Sequence, residues 1–184
     1  VGTDFRPPLA NAGRSDTLYC TLDSLALIGS GVSATGANND FVWSSLTGFP
    51  LSNSNQDTAY AFQPDRYVLT VTDQQNGCFA TDTVELFRDV AAPIANAGLD
   101  TTLNCRRLQL RLSASAQTLS GQAQLNWTTL DGNLINGIST LNPLIDEPGE
   151  YLFAVFDPVN SCTTQDIVRV EEDVLPPSAS LANV

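Results

Sequence analysis

Four cysteines and a set of acidic residues at recurring positions are the side chains whose types and spacing suggest chemistry. Cys20 and Cys78 stand 58 positions apart, and Cys105 and Cys162 stand 57 apart. Four cysteines allow three pairings. A pair that recurs at matching places in two halves of a chain reads as a structural bridge of an oxidising compartment, so the expected bonds are Cys20–Cys78 and Cys105–Cys162. Loops of this size, once closed, stabilise a domain by roughly 4 kcal/mol on the chain-entropy view. A zinc site built from all four cysteines is disfavoured, because no close C-x-x-C pair exists and the ion would have to bridge both halves.

The carboxylates recur as well. Asp89 and Asp173 each stand just before a proline-containing joint, with Asp4 at the same place upstream. Together with Asp100 and Glu172 they supply hard oxygen donors suited to Ca2+ at the joints. The competing reading makes them caps for strand ends and turns. Asp100 has Ser15 as its counterpart, which weakens the metal reading. Asp73 and Asp157, Asp82 and Asp166, and the run Asp131-Gly132-Asn133 read first as turn formers and second as cation ligands.

Composition excludes much else. The sequence has no His, so neither a Ser-His-Asp triad nor a Cys-His dyad can form. It has no Lys, which removes any Lys–Asn isopeptide crosslink. Its 20 acidic residues face 8 basic ones, for a net charge of −12. Phosphate binding needs Arg and Lys patches, so nucleic acid is not an expected partner. Anionic membrane surfaces are disfavoured for the same reason. No apolar run reaches bilayer length, so this chain is not expected to insert in a membrane. Paired carboxylates for glycoside hydrolysis would need a cleft that small sandwiches do not offer, so the chain reads as no enzyme.

The elements that must position these residues come in two copies. Pro8-Leu9-Ala10-Asn11-Ala12-Gly13 returns as Pro93-Ile94-Ala95-Asn96-Ala97-Gly98, at an offset of 85. Trp43 returns as Trp127, Tyr67 as Tyr151 and Cys78 as Cys162, at an offset of 84. Self-similarity at a fixed period is the signature of a repeat protein. Residues 8–91 form the first repeat and 92–176 the second. Residues 1–7 read as the tail of a preceding repeat and 177–184 as the start of a next one, as in a piece of a longer array.

Short alternating runs bounded by Gly, Asn, Asp and Pro dominate each copy, which predicts an all-β fold. The first copy reads as strands over 17–20, 25–28, 41–44, 59–62, 67–72 and 81–87, with 30–39 as a small-residue loop. The second reads as strands over 108–112, 125–128, 151–156 and 166–170. About seven short strands in ~85 residues predict two tandem domains, each a two-sheet β-sandwich. Tyr67, Leu69 and Val71 should share one face, and Trp43 and Trp127 should lie between the sheets.

Pro148-Gly149-Glu150-Tyr151 leading into Val155-Phe156-Asp157, with Trp127-Thr128-Thr129-Leu130-Asp131-Gly132, resembles the signature segments of PKD domains. The W-x-F-G-D-G pattern lacks its Phe and first Gly here. The whole unit, from A-N-A-G to the Asp-and-Pro joint, is similar to the tandem PKD/Ig-like repeats of large Bacteroidota cell-surface adhesins. That resemblance implies secretion to the cell surface and a role in adhesion or as a stalk. It implies no catalytic residue and, as partners, neighbouring repeats. The tyrosine lies eleven residues before the second cysteine, against two in antibody domains. The bridge is therefore expected at the hairpin edge near the first strand, not buried between the sheets. The alternative function is direct binding of a glycan or protein ligand. Phe49, Phe79 and Phe87, which lack aromatic counterparts in the second copy, point that way.

Overall fold

The computed structural model describes residues 4–174. The notional start of a next repeat at 177–184 lies outside them. Contacts divide the chain into two compact units, Val1–Val90 and Ala91–Val184. Every element of the described chain is a strand. Among the described residues no helix is long and apolar enough to cross a membrane.

Unit 1 contains β1 (Leu9–Asn11), β2 (Asp16–Leu18), β3 (Leu25–Ile28), β4 (Ser30–Val32), β5 (Asn39–Ser45), β6 (Leu51–Ser52), β7 (Thr58–Ala61), β8 (Asp65–Asp73) and β9 (Phe79–Arg88). Unit 2 contains β10 (Ile94–Asn96), β11 (Thr101–Asn104), β12 (Leu110–Arg111), β13 (Ser115–Gln117), β14 (Gln124–Thr129), β15 (Leu134–Asn136), β16 (Leu144–Ile145), β17 (Gly149–Asp157) and β18 (Cys162–Asp173).

The two units share one plan. In unit 1 a four-stranded sheet runs β2-β9-β8-β5, a three-stranded sheet runs β3-β7-β6, and β1 pairs with β4. In unit 2 the corresponding sheets are β11-β18-β17-β14, β12-β16-β15 and β10-β13. Each unit is an immunoglobulin-like sandwich. Its first strand is split: the first part pairs with β4 or β13, and the second part joins the four-stranded sheet, parallel to the last strand.

The long hairpins explain the cores. Along β8 the side chains alternate, and Tyr67, Leu69, Val71 and Asp73 point inward. β17 repeats this with Tyr151, Phe153, Val155 and Asp157. Trp43, from the β5 partner of β8, is 3% exposed and joins Leu27, Ala59 and Ala61 of the opposite sheet. Trp127, 2% exposed, stacks on Phe153 with ring centroids 4.7 Å apart. Each indole also donates to a backbone carbonyl, at Asp57 in unit 1 (3.3 Å) and at Thr140 in unit 2 (3.0 Å). An apolar side chain buried in this way contributes on the order of 1.5–3 kcal/mol. Tyr67 and Tyr151 are fully buried, and each hydroxyl donates to the carbonyl four residues back, Gln63 (2.7 Å) and Glu147 (2.6 Å). These are the tyrosine corners of immunoglobulin-like sandwiches.

Several local expectations are corrected. The stretch 30–39 is not all loop, because Ser30–Val32 is a strand paired with Leu9–Asn11. Small residues are needed there, since a Cβ on Gly31 would lie 2.5 Å from Val71. The run 108–112 is strand only at Leu110–Arg111. A tight exchange of backbone hydrogen bonds between Asn104 and Arg107 turns the chain just before it.

Candidate functional site

The recurring motifs are assembled at three places in each unit: a kink in the first strand, the hairpin before the last strand, and the end where the last strand leaves.

The kink is built by the A-N-A-G run. Gly13 and Gly98 take φ of +83° and +96°, the left-handed region open to glycine. A Cβ on either would lie 2.8 Å from the Ile28 carbonyl oxygen or 2.5 Å from that of Ser113. Asn11 Oδ1 accepts from the Gly13 amide (2.9 Å), and Asn96 Oδ1 from that of Gly98 (2.8 Å). Ala12 and Ala97 are buried, and their amides donate to the carboxylates of Asp82 and Asp166, at 2.8 Å in both units. These two Asp residues pin the crossover of the first strand onto the last strand. They do not form turns.

The hairpin is held by Asp73 and Asp157, both essentially unexposed. Asp73 accepts from Ser33 Oγ (2.5 Å), the Thr35 hydroxyl (2.9 Å) and the Gln75 amide (2.9 Å). The Ser33 hydroxyl is the main reason its carboxyl is held well below the usual carboxylate range, against the opposing effect of desolvation. Asp157 accepts from Ser120 Oγ (2.8 Å) and the Val159 amide (3.0 Å). Each Asp therefore forms its turn, as its position suggests, and also ties it to the loop before β5 or β14.

The hairpin also grips the incoming chain. Asn76 Oδ1 accepts from the Cys78 amide (2.8 Å) while its Nδ2 donates to the Arg6 carbonyl (3.0 Å). Asn160 does the same with Cys162 (3.1 Å) and Ala91 (3.0 Å). This double use explains why N-x-C recurs. The intervening residue takes positive φ in both copies, +70° at Gly77 and +58° at Ser161.

The cysteines do not pair as the repeat suggests. Cys78 and Cys105 are free thiols, whereas Cys20 and Cys162 are disulfide-bonded. Parallel pairing of the first and last strands rules out both expected bridges. Leu18 lies opposite Arg88, so Cys20 sits at the far end of β9, while Cys78 immediately precedes its first residue, Phe79. At ~3.3 Å per residue that places the two roughly 30 Å apart. Asn104 likewise lies opposite Asp173, so Cys105 and Cys162 mark opposite ends of β18, roughly 35 Å apart. A disulfide needs Cα atoms within ~7 Å. The expectation of a bridge near the first strand assumed that this strand ends beside the hairpin, and it ends at the other pole.

The proposed Ca2+ residues are not gathered within unit 2. Asp100 Oδ1 accepts from the Arg169 amide at 2.8 Å. Asp173 lies opposite Asn104 and Glu172 opposite Leu103, three and two residues further along the pairing that begins at Thr101. That separates Asp100 from Asp173 by on the order of 10 Å, too far for ligands of one ion with 2.3–2.6 Å bonds. In unit 1, Ser15 Oγ accepts from the Glu85 amide (3.3 Å), the same task performed by a hydroxyl. The Asp89 amide donates to Leu18 O (2.9 Å), closing the end of β2. Among the described residues no group of three or more His, Cys, Asp or Glu side chains is placed to hold a metal.

Asp131 is a structural acceptor: its Oδ1 takes the Glu150 amide at 2.9 Å, and a Cβ on Gly149 would sit 2.8 Å from the same oxygen. The Pro-Gly-Glu-Tyr segment thus fits against the Asp131-Gly132 turn. Unit 1 fills this place differently. Asp65 accepts from the hydroxyls of Ser45 and Thr47 and from the Thr47 amide. Desolvation pushes its carboxyl upward, but these hydrogen bonds prevail and lower it to about 2. Phe49, Phe79 and Phe87 are all exposed, and Phe79 and Phe87 share the outward face of β9.

No family model matches this chain, and no curated protein matches it. Solved structures of tandem immunoglobulin domains do. Extracellular domains 3–5 of Drosophila OTK match over 91% of this chain and 60% of theirs, with 11% identity and a TM-score of 0.42. A three-domain immunoglobulin fragment of titin matches over 91% of this chain and 66% of its own, with 8% identity and a TM-score of 0.43. The insect immune protein hemolin matches over 90% of this chain and 47% of its own, with 11% identity and a TM-score of 0.40. The chain thus spans less than two thirds of each of these three. The immunoglobulin-like sandwich itself rests on the strand order and registers of each unit.

Proposed function

We propose that this chain is a non-enzymatic, load-bearing spacer of a secreted or surface-anchored adhesin, made of domain-sized repeats at 8–91 and 92–176. One observation carries the reading. In each unit the chain enters at the hairpin pole, where Asn76 or Asn160 holds it, and leaves at the opposite pole after a last strand parallel to the first. Tension between the two ends pulls these parallel strands in opposite senses. Their ladder of hydrogen bonds is then loaded together in shear, not opened one at a time.

Other features support the proposal. Disulfide-bonded Cys20 and Cys162 suit an oxidising, extracellular setting. The motif residues are consumed by backbone hydrogen bonds, and the Asp residues at the kink and hairpin accept from amides and hydroxyls. The test is single-molecule extension of the chain from its two ends. Two separate unfolding events at high force are expected, one per unit. Extension at low force without discrete events would end the spacer reading. A second reading, direct binding of a glycan or protein, draws on the exposed phenylalanines of unit 1. It requires that Phe79→Ser and Phe87→Ser abolish adhesion of the chain to a cell surface while leaving its unfolding unchanged.

A further inference from the structure

One flank of β5 in unit 1 leaves backbone groups unused. The Leu46 amide donates to the Arg66 carbonyl (3.0 Å) and the Gln74 amide to that of Asn38 (3.1 Å), so the even-numbered residues of this stretch bond to β8. The odd-numbered residues turn their amides and carbonyls to the opposite flank. There the Trp43 amide donates to the Ser54 carbonyl at 2.7 Å. Two and four residues earlier, the amides and carbonyls of Phe41 and Asn39 face the same way and have no hydrogen-bond partner among the described residues. They border a cleft of about 500 Å³ between β5 and the segment Asn55-Gln56-Asp57. Asn39 lines the same cleft, and its Oδ1 is buried without a hydrogen bond.

An open strand flank, a cleft beside it and a stranded acceptor are together what an added strand would complete. Charge selects that strand. Asp40 and Asp57 line the cleft, and no basic residue does. The chain carries a net charge of −12 and has no Lys, so a second copy would meet like charge there. Unit 2 lacks the combination. Its Trp127 amide makes the matching bond to Ile138 O (2.8 Å), and Leu141 O accepts from the Ala114 amide (2.9 Å) as Asp57 O does from that of Gly29 (2.8 Å). At the matching places, however, Ala123, Gln124 and Leu141 stand where unit 1 has Asn39, Asp40 and Asp57.

We propose that β5 of unit 1 binds an extended, Lys- or Arg-bearing segment of another protein, which pairs along residues 39–41 as an added strand. The backbone of that segment bonds to the amides and carbonyls of Asn39 and Phe41. One of its N–H groups reaches Asn39 Oδ1, and its cationic side chains lie beside Asp40 and Asp57. The inference depends neither on load bearing nor on the exposed Phe79 and Phe87.

The test uses a short synthetic peptide in which Lys alternates with Thr or Val, and a control of equal charge in which Pro replaces every Thr and Val. Proline has no amide to donate, so the control keeps the attraction between opposite charges and removes strand pairing. Amide hydrogen exchange of the whole chain, resolved by NMR, reads the result. With the first peptide, exchange at Phe41 and Asn39 is expected to slow roughly tenfold or more, while Leu125, on the same flank of β14, does not change. Asn39→Leu should weaken binding roughly tenfold, the worth of one hydrogen bond, without lowering the melting temperature of unit 1. Asp40→Asn combined with Asp57→Asn changes two exposed side chains and should also weaken binding. Unchanged exchange at Phe41, equal binding of the proline control, or equal protection at Leu125 would overturn the proposal and leave the spacer reading standing.

Discussion

Replacing Asp166 by Ala should unfold unit 2 preferentially, and the expected size follows from one hydrogen bond. The Ala97 amide is buried and donates to Asp166 Oδ2 at 2.8 Å. A bond to a charged acceptor contributes roughly 1.5–3 kcal/mol, and a buried donor left without a partner costs roughly 1–3 kcal/mol. We expect a loss of about 2 kcal/mol, equivalent to a fall of ~10 °C in the melting temperature of an ~85-residue domain. Guanidinium unfolding followed by fluorescence measures it, using a Trp43→Phe background so that Trp127 alone reports on unit 2. Asp166→Asn keeps one acceptor oxygen and should lose less than half as much. Asp82→Ala, which strands the Ala12 amide, should repeat the effect in unit 1. A loss under ~0.5 kcal/mol in both units would refute the claim that these carboxylates pin the first strand.

Other outcomes follow from the same geometry. Gly98→Ala forces a side chain into φ +96° and a Cβ to 2.5 Å from the Ser113 carbonyl oxygen, so unit 2 should lose about 2 kcal/mol or more by the same assay. Asp65 has a folded pKa depressed to about 2, so its contribution is present above the ordinary carboxylate value and is lost as pH falls toward 2. Ser45→Ala removes one of its donors and raises that folded value, so acid unfolding of unit 1, followed through Trp43, should begin at a higher pH. Asp100→Ser should be tolerated in thermal unfolding, because Ser15 already accepts the equivalent amide in unit 1, and EDTA should leave both melting temperatures unchanged.

The long strands were legible because their alternation is unambiguous. Tyr67, Leu69 and Val71 do share the buried face, and Trp43 and Trp127 do lie in the cores. The repeat also located Asn11, Asp82, Asp73, Asn76 and Cys78 at the kink and hairpin, but not Ser33, Thr35 or Ser120, which hold the hairpin carboxylates. It did not reveal what those residues bond. Strands of two or three residues, such as Leu9–Asn11 and Ser30–Val32, carry too few side chains to show a period. The direction of the first strand is not written in its residues. A sequence does not state whether two edge strands run parallel or antiparallel, and the cysteine pairing turned on that choice. Asp82 and Asp166 read as turn residues because carboxylates near hairpins usually serve turns, yet both reach across to the first strand instead.

The split first strand also governs where the chain can be cut. Residues 9–11 pair with β4 of unit 1, and residues 16–18 complete the edge of its four-stranded sheet. A fragment beginning at Arg14 would leave the flank of β4 bare, and one beginning at Leu22 would bare the flank of β9 as well. Unpaired backbone along such margins invites strand exchange and aggregation. A well-behaved recombinant piece therefore has to start upstream of Pro8 or Pro93, within the proline-bearing joint.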